Sequence, residues 1–307
     1  MALVINWVDR NITVDKFRVY RSDTVILDTA LPTPLAEVAA GTFSYLDATA
    51  VRNQTYHYRI GVVANGEETL SADMALAYMP YTGPGPQKLL RGDWSYGTFG
   101  RIAVEDLFGP AELCQIVGLG AQYAAAGGYA ASWWIKIVYN GKILFIPDRA
   151  IANGSTALSW ATLYQLGLVY GKDDPSTWSA AAKSTYGTIQ QGVTVQKNAD
   201  TFLVRLPGTR VGSLTASSVP ANQVGGEYDQ IISPLYLTRT SQVNPIQLDD
   251  LTWVANCQAY TKDVTTTAGD TIIFRPDGSV NPDPVLTAAL AYSYIYTAWR
   301  PILELVF

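Results

Sequence analysis

The chain has 307 residues, enough for two ordinary domains. Hydrophobic residues make up 48% of it, but charged residues only 15%, against roughly 25% in soluble domains. With 8 Trp, 19 Tyr and 8 Phe this is not a disordered composition, and a net charge of −5 without adjacent Lys or Arg leaves no footprint for nucleic acid.

The first 80 residues read as strands. Leu3 to Val8 is short and β-rich, and Lys16-Phe17-Arg18-Val19-Tyr20-Arg21 alternates polar with apolar. Tyr56 to Val63 alternates again and meets Asn65-Gly66, a strong hairpin signal. Strands about every ten residues, with turns between them, predict a sandwich. Met79 to Pro86 carries three prolines and two glycines, which sustain neither a helix nor a central strand, so residues 81–89 are predicted to be a linker.

Residues 90–307 mix patterns. Pro110 opens a short helix to Leu119 with Cys114 on its apolar side. Trp133 to Tyr139 is a strand entering the turn Asn140-Gly141, and Lys142 to Pro147 leaves it. That hairpin is expected to bury one face and expose Lys136 and Lys142. Ser159 to Gly171 has helical spacing and ends on a glycine, and Phe202 to Leu206 is a further strand. Strands and helices without βαβ regularity predict α+β. The apolar stretch from Ala111 to Val138 is broken by Gln115, Gln122, Lys136 and several glycines, so no membrane insertion is expected.

Two resemblances follow. Phe17 to Ser22, Ser44-Tyr45-Leu46-Asp47 and Thr55 to Ile60 resemble three strands of a fibronectin type III domain. That resemblance covers about 75 residues and implies a β-sandwich over 1–80. It also implies that the chain starts at the family's second strand, so that the first is missing or supplied by a neighbour. Over 90–307 the landmarks are Trp134 to Ile137 with Asn140-Gly141-Lys142, Ser159-Trp160 with Val169-Tyr170-Gly171, Gly225 to Asp229 including Glu227 and Tyr228, and Trp299-Arg300-Pro301 to Glu304-Leu305. In that order they resemble a module of tailed-bacteriophage virion proteins with a C-type-lectin-like, formylglycine-enzyme-like fold. Trp134, Gly141, Trp160, Glu227, Tyr228, Trp299, Arg300 and Glu304 are therefore expected as scaffold. Trp299 is expected to plug the core, and Arg300 to pair with Glu227 or Glu304.

No catalytic set is legible. His57 is the single histidine, expected to face solvent, and cannot by itself supply a Ser-His-Asp site. Asp173-Asp174, Asp249-Asp250 and Glu227 are the acids a wall hydrolase would draw on, but nothing in the sequence brings two of them to one cleft. Cys114 and Cys257 lack any metal-ligand or activating motif and read as buried thiols. Arg91-Gly92-Asp93 reads as a turn, the sequons at Asn11, Asn53 and Asn153 as uninformative, and the loop Asp277 to Pro284 as short of Ca²⁺ ligands. No cofactor, metal or catalytic residue is expected.

What remains is recognition by surface. Tyr123, Tyr129 and Trp133 are the candidate contact residues, with the alternating Tyr292, Tyr294 and Tyr296 beside them, either as a contact face or as core. The expected role is a virion subunit of tail, baseplate, collar or fibre, assembled in the host cytoplasm and contacting other virion proteins and copies of itself. The alternative is an adhesin for host surface glycans, and a cell-wall hydrolase ranks third.

Overall fold

The computed structural model describes residues 2–152, 158–208, 226–232, 258–264, 271–275, 286–292 and 297–307. The chain is β-rich, with 39% strand and 15% helix, so strand ladders and not helices set its architecture. It divides into two compact units, Met1–Thr82 with Gly92–Gly97 and Val138–Gly141, and Gly83–Arg91 with Thr98–Ile137 and Lys142–Phe307.

The smaller unit is built from β1 (Leu3–Asn6), β2 (Lys16–Ser22), β3 (Ala36–Ala39), β4 (Ser44–Asp47), β5 (Thr55–Ala64), β6 (Glu67–Leu70) and β7 (Met74–Ala77). One sheet is β3-β2-β5-β6 with β7 also on β5, and the other is the pair β1-β4 alone. Alternation does what the sequence pattern requires: Phe17 and Val19 from β2 face Val62 and Ile60 in register on β5, and Phe17, Val19, Tyr56, Tyr58 and Ile60 join Ile5 in one buried cluster. The β5–β6 turn places Asn65 and Gly66 at φ 52° and 82°, the left-handed pair that a two-residue hairpin demands.

A polar clasp adds to this core. The Asp47 carboxylate is fully buried and accepts from Tyr58 Oη at 2.7 Å, Arg21 Nη1 at 2.8 Å, and Thr49 N and Oγ1 at 2.9 and 2.7 Å. It thereby ties β4 to β2 and β5. Burial alone would raise its pKa, but these donors outweigh burial and hold it below the usual carboxylate range.

After these come β8 (Arg91–Gly92), β9 (Tyr96–Ala103), α1 (Pro110–Ile116), β10 (Trp133–Tyr139), β11 (Lys142–Pro147), α2 (Trp160–Gln165), α3 (Ala180–Tyr186), β12 (Thr194–Lys197), β13 (Asp200–Arg205) and β14 (Gln258–Val264), which apart from the ends at Gly92, Tyr96–Gly97 and Val138–Tyr139 belong to the larger unit. It is completed by β15 (Thr271–Arg275), β16 (Leu286–Ala289), β17 (Thr297–Ala298) and β18 (Ile302–Val306). A seven-stranded sheet runs β12-β13-β18-β11-β10-β9-β8, and a four-stranded one β16-β15-β14-β17. The terminal strand β18 thus sits mid-sheet, antiparallel to both β11 and β13.

Three sequence expectations change here. Every residue from Trp134 to Val138 is buried, so β10 is covered on both faces and Lys136 is fully enclosed, not exposed. Its ammonium donates to the carbonyls of Gly83, Pro84 and Pro86 at 3.2, 3.0 and 2.7 Å, and lies 5.0 Å from the Phe99 ring centre. The Pro/Gly stretch expected as a linker therefore packs as part of the larger unit: a Cβ at Gly85 would strike Ile102, and one at Gly83 would press on Leu305. Finally, the helix expected to run to Gly171 ends earlier. Ser159 caps α2 by accepting from Thr162 N at 3.1 Å, and Gly167 at φ 77° closes the turn after it.

Candidate functional site

The landmark acids of the larger unit meet, but around an arginine the sequence did not single out. Arg205 at the end of β13 makes a bidentate pair with Glu227, both contacts at 2.6 Å, and reaches Glu304 on β18 with Nε at 3.1 Å. Lys142 Nζ closes the chain on the other oxygen of Glu304 at 2.6 Å, and Gly208 N donates to Glu227 at 3.2 Å. The expected pairing of Arg300 with these carboxylates is corrected accordingly. Arg300 is buried, and its charge acts on Asp148, a buried carboxylate that accepts from Ser132 N and Trp133 N. The β13–β18 register explains the exchange: Leu203 faces Glu304, which brings Arg205 alongside the acid, whereas Arg300 precedes the strand.

Burial would raise the Glu227 pKa, but the Arg205 guanidinium overrides it and holds Glu227 below the usual carboxylate range. An acid kept ionised in a bidentate pair is poorly placed to donate a proton, so this cluster is a clamp across strands. Gly171 makes room for it, since a Cβ there would lie 2.6 Å from Arg205 Cβ.

The remaining chemical candidates are dispersed. His57 is half-buried with Nδ1 2.6 Å from Asp73 Oδ2, not solvent-facing as expected. Cys114 is a buried free thiol whose pKa burial pushes up to about 12, which suits an inert side chain. Asp174 caps a short 3-10 turn through Ser176 N, and Asp173 accepts from Gln191 N. Cys257, Asp249-Asp250, the Asp277 to Pro284 loop, Asn153, Tyr294 and Tyr296 lie outside the described residues. Among the described residues no group of three or more His, Cys, Asp or Glu is arranged to hold a metal ion, and no helix is long and apolar enough to cross a membrane.

Of the scaffold landmarks, Trp134, Trp160, Tyr228 and Trp299 are fully buried. Trp134 Nε1 donates to Phe108 O at 2.8 Å, Trp160 Nε1 donates to Thr261 O at 3.0 Å, and Gly141 takes φ 74° in its hairpin turn. The contact candidates do not form a ring cluster. Tyr123 and Tyr129 each end a separate 3-10 turn, Tyr129 is 43% exposed, and Trp133 is half-buried under Arg101 at 4.4 Å. Tyr292 is exposed, just after β16.

The sandwich also carries exposed apolar side chains. Val4 and Leu46 are direct cross-strand neighbours on the β1–β4 pair and are both more than half exposed. Val8, Ile12, Phe43 and Val51 of the same unit are exposed as well. Beside β1 runs a groove of about 500 Å³, walled by Asn6, Trp7 and Val8 and floored by Phe17, Ile60, Val62, Leu70 and Met74. The one sequence signal available for it was the absence of any charged residue from Met1 to Val8.

No family model, no curated protein and no solved structure matches this chain.

Proposed function

We propose that this chain is a structural component of a tailed-phage virion, a tail, baseplate, collar or fibre subunit whose task is protein–protein contact. The observation that carries this reading is the apolar surface of the sandwich around Val4, Leu46 and the neighbouring groove. The lone β1–β4 pair, and β2 flanked by β3 and β5, support a fibronectin type III-like smaller unit. The buried order Trp134, Trp160, Tyr228, Trp299 supports a C-type-lectin-like virion module as scaffold behind it. The low charge content suits a subunit that covers much of its surface with neighbours or copies of itself.

The test is localisation and assembly together. Antibody against the purified chain is expected to decorate one discrete region of tailed particles in immunogold images, and the purified chain to co-assemble with particle proteins. A protein that stays monomeric and labels no particle overturns the proposal.

A second reading, recognition of host surface glycans, draws on Tyr129, exposed in a glycine-rich turn. Glycan-array binding lost on Tyr129→Ala would put it first, and an array without signal would remove it.

A further inference from the structure

We propose that the groove beside β1 is an acceptor site for one extended peptide segment of another protein, added as a third strand to the β1–β4 pair. This rests on the sandwich alone and stands whether or not the virion reading does.

Backbone direction is the first argument. Trp7 N donates to Phe43 O on the β4 side, and antiparallel ladders alternate. Leu3, Ile5 and Trp7 therefore turn their N–H and C=O groups toward β4, and Val4, Asn6 and Val8 turn theirs to the open edge. Among the described residues no strand pairs with that edge.

The outer edges of β3 and β6 are guarded. β3 carries Glu37, paired with Lys16 and Arg18, and β6 carries Glu67 and Glu68. The β1 edge has no charge, proline or bulge. Trp7, which lines the groove, has its Nε1 buried without an acceptor.

The floor decides what kind of strand fits. It belongs to β2, β5, β6 and β7, so the second layer of the sandwich already lies beneath the vacant strand position. A second copy offering its own β1 edge would bring its own five-stranded sheet into that same space. A lone extended segment brings no such layer, and its alternate side chains would drop onto Ile60, Val62, Leu70 and Met74.

Charge places a cationic side chain at one end of the groove, and antiparallel addition, the sense of the β1–β4 pair, is the polarity proposed. Asp9 lines the far end of the groove with no cationic side chain among the other lining residues. A strand antiparallel to β1 begins at that end. The occupant is thus a segment with a lysine or arginine at its start and aliphatic side chains at every second position after it.

The experiment uses the full chain and the blocked peptide Lys-Thr-Val-Thr-Val-Thr, with Thr-Val-Thr-Val-Thr-Lys as the reversed probe. The first is expected to slow amide exchange at Val4 and Asn6 at least tenfold and to bind more tightly than the second. Asn6→Pro, which deletes an edge donor and leaves the bonds to β4, is expected to abolish this. Leu70→Arg, which fills the floor, should do the same and covers the case in which Asn6→Pro fails to fold. Asp9→Asn is expected to weaken the first peptide about fivefold at low salt and leave the second unchanged, the size of one exposed ion pair. Unchanged exchange at Val4 and Asn6, or dimers in sedimentation that Asn6→Pro dissolves, would overturn the proposal, the latter by making a second copy the occupant.

Discussion

In the larger unit Trp134, Trp160 and Trp299 are all sealed from solvent, while in the sandwich the neighbours Val4 and Leu46 stand 51% and 57% exposed. The larger unit buries even its charges, closing Lys136 under carbonyls and Arg205 between two glutamates. The sandwich closes one carboxylate, Asp47, and leaves one side of its minor sheet uncovered. Such a contrast separates a unit whose largest rings are enclosed from one whose minor sheet shows apolar side chains to solvent. A two-stranded sheet is marginal by itself, and here the clasp at Asp47 and the packing of Ile5 secure it.

Breaking the larger unit at its clamp should have the largest effect. Arg205→Ala strands the half-buried Glu227, leaves Glu304 with Lys142 alone, and is expected to destabilise that unit by about 3–5 kcal/mol, read from the larger unit's denaturant transition. An unchanged transition would show that the clamp contributes nothing. Lys136 offers a test of opposite sign. Burial lowers its pKa from 10.5 to about 7, so the unfolded chain binds this proton up to about pH 10.5 and the folded chain only to about pH 7. Stability of the larger unit should therefore rise with pH across that window, by on the order of a few kcal/mol. Lys136→Met should remove the slope, and a retained slope would assign it to another group.

Gly171→Ala should cost about 1–3 kcal/mol through both its left-handed backbone and the collision with the Cβ of Arg205, and the loss should shrink in an Arg205→Gly background, which removes that Cβ. In the sandwich, Asp47→Asn is expected to cost about 1–2 kcal/mol. Because the folded pKa of Asp47 is depressed, its contribution is present above the unfolded carboxylate value and lost as pH falls through the folded one. The variant should flatten the acid limb of the sandwich transition and leave the larger unit's alone. Smallest of all, Val4→Thr with Leu46→Thr should shift stability within about 0.5 kcal/mol while impairing association, since these side chains stand more than half exposed.

Legibility followed the range of the interactions. Asn65-Gly66 and Asn140-Gly141 announced their hairpins because φ > 0 is a local demand that few residues meet. The alternation of Phe17 and Val19 announced a half-buried strand for the same reason. The turn at Asn198, between β12 and β13, went unread because no glycine follows it. Lys136 was misplaced because alternation assumes one solvent face, and β10 has none. The Arg205 clamp depends on β18 being inserted between β13 and β11, a pairing across 99 positions that no local pattern encodes.

The seat of Lys136 among the carbonyls of Gly83, Pro84 and Pro86 also dictates where the chain can be cut. A fragment begun at residue 90, past the apparent linker, would strip the ammonium of those three acceptors and open the surface around Ile102. Begun at Gly83 it keeps both, so the shortest self-sufficient fragment of the larger unit includes the very residues that look most dispensable.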